Sequence, residues 1–403
     1  MEQPAAEPPS RNVAEWTIGV VGAGTMGSGI AQMAAGAGHR VMVTDASAES
    51  LESARDRLKK TTAGLVKKGR LDAETSRLLD ELITWAPGAA GEYALFRHCD
   101  LVIEAVVEDL AIKRDVFRRL EAAVSPKCLL ASNTSSLAIT AIAGACKKPE
   151  RVIGLHFFNP VPVMQLVEVI PGLLTSPDVV NQAEELMSAW GKTTVRSADT
   201  PGFIVNRIAR PFYGEALRLF EESIAGKSTI DWAMRELAGF RMGPFELMDL
   251  IGNDVNFAVT RSIFDGMHQD PRYRPSITQQ RLVEAGFFGR KTGRGHYDYA
   301  EGATRPEPDR EASRGGQIVD RIVAMLINEA ADAVYWKVAS GADIETAMTK
   351  GVNYPRGLLE WGNQIGAGVV LQRLHSLQEL YGDDRYRPSP LLVQAASSGT
   401  SLT

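Results

Sequence analysis

Trp16-Thr17-Ile18-Gly19-Val20-Val21-Gly22-Ala23-Gly24-Thr25-Met26-Gly27 decides the fold of this 403-residue chain. A short apolar run reads as a strand, and three glycines at G-x-G-x-x-G spacing carry it straight into a helical pattern over 28–37. Gly22 permits the tight turn, Gly24 lets backbone approach a pyrophosphate, and Gly27 allows close helix-strand packing, with the helix N-terminus turned to the phosphates. Such a fingerprint is weak alone. Here a second strand over 39–44 ends at Asp45, 18 residues after Gly27. A carboxylate there accepts hydrogen bonds from an adenosine ribose and repels the extra phosphate of NADP. NAD is therefore the expected cofactor, held by Gly22, Gly24, Thr25, Met26, Gly27 and Asp45.

A second stretch suggests chemistry. Val152-Ile153-Gly154-Leu155-His156-Phe157 and an apolar run over 163–170 carrying Glu168 flank Asn159, Pro160 and Pro162, a pattern of two neighbouring strands joined by a rigid turn. If the strands fold back on each other, Glu168 sits behind the imidazole of His156, fixes its tautomer and stabilises its charged form, as a general base for a hydroxyl proton requires. Read by themselves, a His and a Glu twelve residues apart are more often a structural pair.

Between these stretches lies a charged helical section over 47–85, with Lys59, Lys60, Lys67, Lys68 and Arg70 around an expected turn near Gly64 and Gly69. It reads either as a solvated helical hairpin or as the seat of an anionic ligand. A third strand is expected over 101–108, leading into the helix of Lys113, and a fourth over 129–132, ending in Asn133-Thr134-Ser135-Ser136. Polar groups at that strand end suit nicotinamide and substrate contacts, although Ser135 equally suits a helix cap.

A net charge of -5 with interspersed signs argues against a nucleic-acid binder. Cys99, Cys128 and Cys146 form neither a disulfide framework nor a metal-ligand pattern, so reduced thiols in a cytoplasmic protein and no metal are expected. Residues 1–12 lack the features of a secretory signal and read as a disordered tail, and no apolar run approaches the roughly 20 residues of a membrane span.

Beyond residue 199 the sequence repeats itself at a spacing of 114. Val205-Asn206-Arg207-Ile208 matches Val319-Asp320-Arg321-Ile322, and Glu215-Ala216 matches Glu329-Ala330. Ala233-Met234 matches Ala347-Met348, and Ile251-Gly252 matches Ile365-Gly366. After a one-residue slip, Arg272-Tyr273-Arg274-Pro275-Ser276 matches Arg385-Tyr386-Arg387-Pro388-Ser389. The expected fold is α/β: a Rossmann-like doubly wound sheet over 13–198, then two repeated all-α domains over 199–300 and 317–396 joined by a linker over 301–316. Asn206 faces Asp320 in this alignment, so the first copy reads as functional and the second as structural.

Gly-Ala-Gly-Thr-Met-Gly, Ser132-Asn133-Thr134-Ser135-Ser136, residues 154–160, 201–207 and 239–246, and Gly289-Arg290-Lys291-Thr292-Gly293-Arg294-Gly295 together resemble the L-3-hydroxyacyl-CoA dehydrogenase family over nearly the whole chain. The resemblance implies NAD-dependent oxidation of an L-3-hydroxyacyl-CoA, with His156 as base, Glu168 orienting it, and Ser135 and Asn206 bonded to the reacting oxygen. Asp45, Glu108, Lys113, Asn159 and Lys291 match cofactor-contacting positions, with Asn133 at the strand end a further cofactor candidate, and Thr61 and Lys68 match positions that hold coenzyme A. The duplicated tail without a hydratase half looks like the monofunctional 3-hydroxyadipyl-CoA or 3-hydroxybutyryl-CoA dehydrogenases of bacterial aromatic and short-chain catabolism, such as phenylacetate breakdown. Arg210, four residues beyond Asn206 and followed by Pro211, is the candidate contact for a distal carboxylate. A homodimer is the expected assembly. The rival readings are a free hydroxy-acid dehydrogenase of the gulonate type and an inactive NAD-binding structural relative.

Overall fold

The computed structural model describes residues 12–87 and 93–403, so the expected tail over 1–12 lies, apart from Asn12, outside the described residues. The chain divides into two compact units, Met1–Thr194 and Val195–Thr403. Among the described residues eight strands form one sheet: β1 (Thr17–Val21), β2 (Arg40–Thr44), β3 (Ile83–Trp85), β4 (Leu101–Glu104), β5 (Leu129–Ser132), β6 (Val152–Phe157), β7 (Leu166–Pro171) and β8 (Thr193–Arg196). Their order is β3-β2-β1-β4-β5-β6-β7-β8, parallel from β3 through β6 and antiparallel between β6 and β7. Strand order reverses beside β1, which puts the ligand crevice of a doubly wound sheet at the C-terminal ends of β1 and β4. The helix Thr25–Gly36 packs Ile30, Ala31, Ala34 and Ala35 into the buried core of the sheet.

Several expected boundaries move for local reasons. The third predicted strand stops at Glu104 instead of 108, because the Glu104 carboxylate accepts the Val106 N–H at 2.7 Å and turns the chain. The run expected from 163 enters the sheet only at Leu166, and Val163 is 71% exposed in the preceding turn. Gly64 is no turn residue: the helix Ala48–Lys67 runs through it, and the chain reverses at Gly69, whose φ is +66°.

The second unit is built from helices, and both sequence copies lie within it. The copies share their breaks. Helix Pro244–Ile251 ends at Gly252 with φ +105°, and helix Leu358–Ile365 ends at Gly366 with φ +96°, a left-handed region that suits glycine. The short turns Pro271–Tyr273 and Asp384–Tyr386 also correspond. The linker expected over 301–316 is shorter, since Glu311 caps the helix Ala312–Tyr335 by accepting the N–H groups of Ser313 and Arg314. Among the described residues no helix is long and apolar enough to cross a membrane.

His296 gives the second unit a pH dependence. It is buried edge-on against Phe245, and neither ring nitrogen has a hydrogen-bond partner among the described residues. Burial, with the nearby Lys227 ammonium adding to it, pushes its pKa down to about 3. The unfolded chain protonates this ring below about 6.5, so its contribution is fully present above that pH and is lost as the pH falls from there toward 3. His296→Phe should flatten this slope: between pH 7 and pH 5 the native protein should lose roughly 2 kcal/mol more than the variant in urea titrations.

Candidate active site

The glycine turn after β1 has the shape a dinucleotide needs. Gly22 has φ +101°, and a Cβ there would meet the Ala105 carbonyl oxygen at 2.5 Å. A Cβ on Gly27 would lie 1.8 Å from the Gly22 carbonyl oxygen, whereas one on Gly24 would meet nothing within 4 Å. Two glycines thus permit the turn itself, and the third faces open space at the N-cap of the helix Thr25–Gly36, as pyrophosphate approach requires. Asp45, just past β2, braces this turn: its carboxylate accepts the Ala23 N–H at 2.7 Å and the Ser47 N–H at 2.9 Å. Each of its oxygens retains acceptor capacity for a ribose hydroxyl. These residues fit NAD.

At the ends of the next strands a polar network takes over. Lys113 is 1% exposed and donates to Glu104 at 2.6 Å, with Glu108 3.3 Å away. The Ser132 hydroxyl donates to the other oxygen of Glu104 at 2.6 Å. Glu108 in turn accepts the Thr134 hydroxyl at 2.6 Å, the Ser136 hydroxyl at 2.9 Å and the N–H groups of Ser135 and Ser136. The Ser135 hydroxyl makes the longest of these contacts, 3.3 Å. Burial opposes the Glu108 charge, yet Lys113 and the two hydroxyls hold its carboxyl below the usual range. Glu108 and Lys113 therefore shape the 134–136 turn. Glu104 and Ser132, which the sequence reading passed over, anchor it; the clue available was an acid inside an otherwise apolar strand.

The dyad is formed. In the antiparallel register of β6 and β7, His156 stands directly opposite Glu168. Its Nδ1 lies 2.5 Å from Glu168 Oε2, with 6% and 0% of the two residues exposed. Phe158 tilts against the imidazole at 4.6 Å between ring centroids. Asn133 ties this strand to β5, its side-chain oxygen accepting the Phe157 N–H at 2.9 Å. Asn159 is exposed in the turn after β6.

Thr61 and Lys68 are exposed toward the end of the helix Ala48–Lys67, where Lys60, Lys67 and Arg70 are also exposed. In the second unit Asn206 lies in the one-turn helix Val205–Ile208. Arg210 opens the next helix, Arg210–Glu221, and is 6% exposed. Its guanidinium donates to the Asn206 carbonyl at 2.7 Å and the Thr260 hydroxyl at 3.2 Å and lies over the Tyr213 ring. Among the described residues no carboxylate pairs with it. Lys291 pairs with Asp254 at 2.7 Å, and Asp320 pairs with Arg373 at 2.8 Å.

Comparison with known proteins identifies the family of the chain. The family described as "3-hydroxyacyl-CoA dehydrogenase, NAD binding domain" matches residues 17–200, and "3-hydroxyacyl-CoA dehydrogenase, C-terminal domain" matches twice, over 202–299 and 316–401. The 3-hydroxyadipyl-CoA dehydrogenase of Escherichia coli (strain K12) is 42% identical over 94% of this chain and 97% of its own. A probable 3-hydroxybutyryl-CoA dehydrogenase of Bacillus subtilis is also 42% identical, over 70% of this chain and 97% of its own. Among solved structures, a 3-hydroxybutyryl-CoA dehydrogenase from Escherichia coli K12 aligns with a TM-score of 0.89 at 40% identity, covering 95% of this chain and 98% of that one.

Proposed function

The chain belongs to the 3-hydroxyacyl-CoA dehydrogenase family, and we propose that it oxidises the C3 hydroxyl of an L-3-hydroxyacyl-CoA to the ketone with NAD. The observation that carries the reading is the buried His156–Glu168 pair on β6 and β7. Bound NAD supplies the hydride acceptor. With Nδ1 donating to Glu168, the ring is held in the tautomer whose Nε2 takes the hydroxyl proton, and the carboxylate stabilises the imidazolium that results. Ser135 and Asn206 are the proposed hydrogen-bond partners of the reacting oxygen. Thr61, Lys68 and the neighbouring cations are the proposed seat of the coenzyme A phosphates, and Asn159 and Lys291 are proposed cofactor contacts.

A dicarboxylyl-CoA such as 3-hydroxyadipyl-CoA is the proposed substrate, with 3-hydroxybutyryl-CoA as the alternative. Arg210 supports this choice, because a guanidinium buried without an acidic partner is completed by a distal carboxylate. Arg210→Leu should lower kcat/KM for the dicarboxylyl substrate about 10-fold more than for the butyryl substrate; equal losses on both remove this role. A cytoplasmic location suits Cys99, which is buried, free and pushed up to about 12 by burial. The proposed homodimer is read by light scattering.

NADH oxidation with 3-oxoadipyl-CoA and acetoacetyl-CoA, set against the corresponding free acids, tests the proposal. Turnover of the thioesters alone is expected; turnover of a free acid alone overturns the coenzyme A assignment.

A further inference from the structure

The two helical copies hold each other by exchanged charges. Arg207 and Arg321 occupy equivalent positions in the repeat, as do Glu215 and Glu329. Each arginine reaches into the other copy: Arg207 Nε donates to Glu329 at 2.6 Å, and Arg321 Nε donates to Glu215 at 2.8 Å. The equivalent tyrosines follow, with the Tyr273 hydroxyl on Glu329 at 2.5 Å and the Tyr386 hydroxyl on Glu215 at 3.1 Å. The halves differ in grip. Arg272 pairs with Glu329 at 3.0 Å, while its counterpart Arg385 stands 3.9 Å from Glu215. Each half also holds a second acid: Asp332 lies 3.2 Å from Arg207 and 3.0 Å from Arg272, and Glu222 lies 2.7 Å from Arg321 and 3.5 Å from Arg385.

The Glu329 half lies beside Asn206, the neighbour of Arg207 in the chain. The helix Val205–Ile208 is a single turn, too short to hold itself, and the chain enters it through Gly202 at φ +79° and Phe203 at φ +49°. Its placement therefore depends on anchors, and Arg207 is the buried one that reaches the second copy. From this geometry we propose that Glu329, in the copy that lacks the amide, is a positioning residue for the reaction: it clamps Arg207 and thereby sets the orientation of Asn206. The opposite half clamps Arg321, whose neighbour is Asp320, so the repeat contains its own control.

The inference rests on the role given to Asn206 under the proposed function, and the experiment separates the two. Glu329→Gln, Glu215→Gln and Asn206→Ala are made in the full chain, and kcat, KM for NADH and thioester, and the thermal midpoint are measured for each. Both glutamate variants should lower the midpoint. Glu329→Gln alone should lower kcat, about 10-fold, with KM for NADH unchanged, while Glu215→Gln stays within about 2-fold of the native kcat. Arg207→Lys keeps the charge but loses the forked contact, and it carries the same expectation if Glu329→Gln fails to fold. Equal kcat changes in the two glutamate variants, or none in Glu329→Gln, overturn the positioning role while Asn206→Ala still costs activity. If Asn206→Ala keeps full kcat, the assignment of Asn206 itself fails.

Discussion

His156→Gln is expected to lower kcat by about 10²–10⁴-fold, the range that a positioned general base contributes, and to leave NAD affinity unchanged. Glutamine preserves a hydrogen bond toward Glu168 and much of the ring's bulk, so the buried acid keeps a partner. What it removes is a nitrogen that takes a proton. His156 stands on β6, and the turn fitted to the cofactor follows β1, with β4 and β5 between them in the sheet. Loss of the base should therefore appear in turnover and not in the dissociation constant for NAD. Calorimetric titration of NAD and steady-state rates in both directions separate these quantities. A variant that retains more than about a tenth of native kcat would show that His156 is a structural partner of Glu168, which is how the pair reads in isolation.

That pair was legible because antiparallel geometry is strict. His156 and Glu168 lie at equal distance from the middle of one turn, and both point to one face, so the fold-back alone sets them opposite each other. The glycine turn was legible for a similar reason, since Gly22 and Gly27 are positions where a Cβ collides with backbone. Strands β3 and β8 were not read, being three and four residues long and without a continuous apolar run. The repeat disclosed two copies, yet no spacing rule states that Arg207 and Arg321 would exchange partners. Such a trade is a property of packing between helices distant in sequence. Glu108 shows the limit of residue-by-residue resemblance. Its match to a cofactor position was visible, whereas its hold on three consecutive residues at the end of β5 depends on side-chain directions that a sequence does not contain.

Lys113→Met should destabilise the protein by about 3–5 kcal/mol, because it strands a buried carboxylate. Glu104 is 0% exposed, and without the ammonium it keeps, among the described residues, only the Ser132 hydroxyl and the Val106 N–H as donors. Glu108 loses an ion pair at 3.3 Å in the same step. The double variant Lys113→Met/Glu104→Gln removes the uncompensated charge, with its amide oxygen accepting the Val106 N–H and its amide nitrogen donating to the Ser132 hydroxyl, so it should recover most of the loss. Urea titrations of the single and double variants measure this coupling. A single variant within about 1 kcal/mol of native would mean that the pair contributes little beyond what well-packed apolar groups supply. NAD affinity of the double variant then distinguishes the two roles open to Lys113. An ammonium that touches the nucleotide is missed even in a restabilised protein, whereas one that only fixes Glu108 is missed to the extent that the 134–136 turn loosens. Its 1% exposure and its commitment to two carboxylates favour the second, so the double variant should bind NAD within about 10-fold of native.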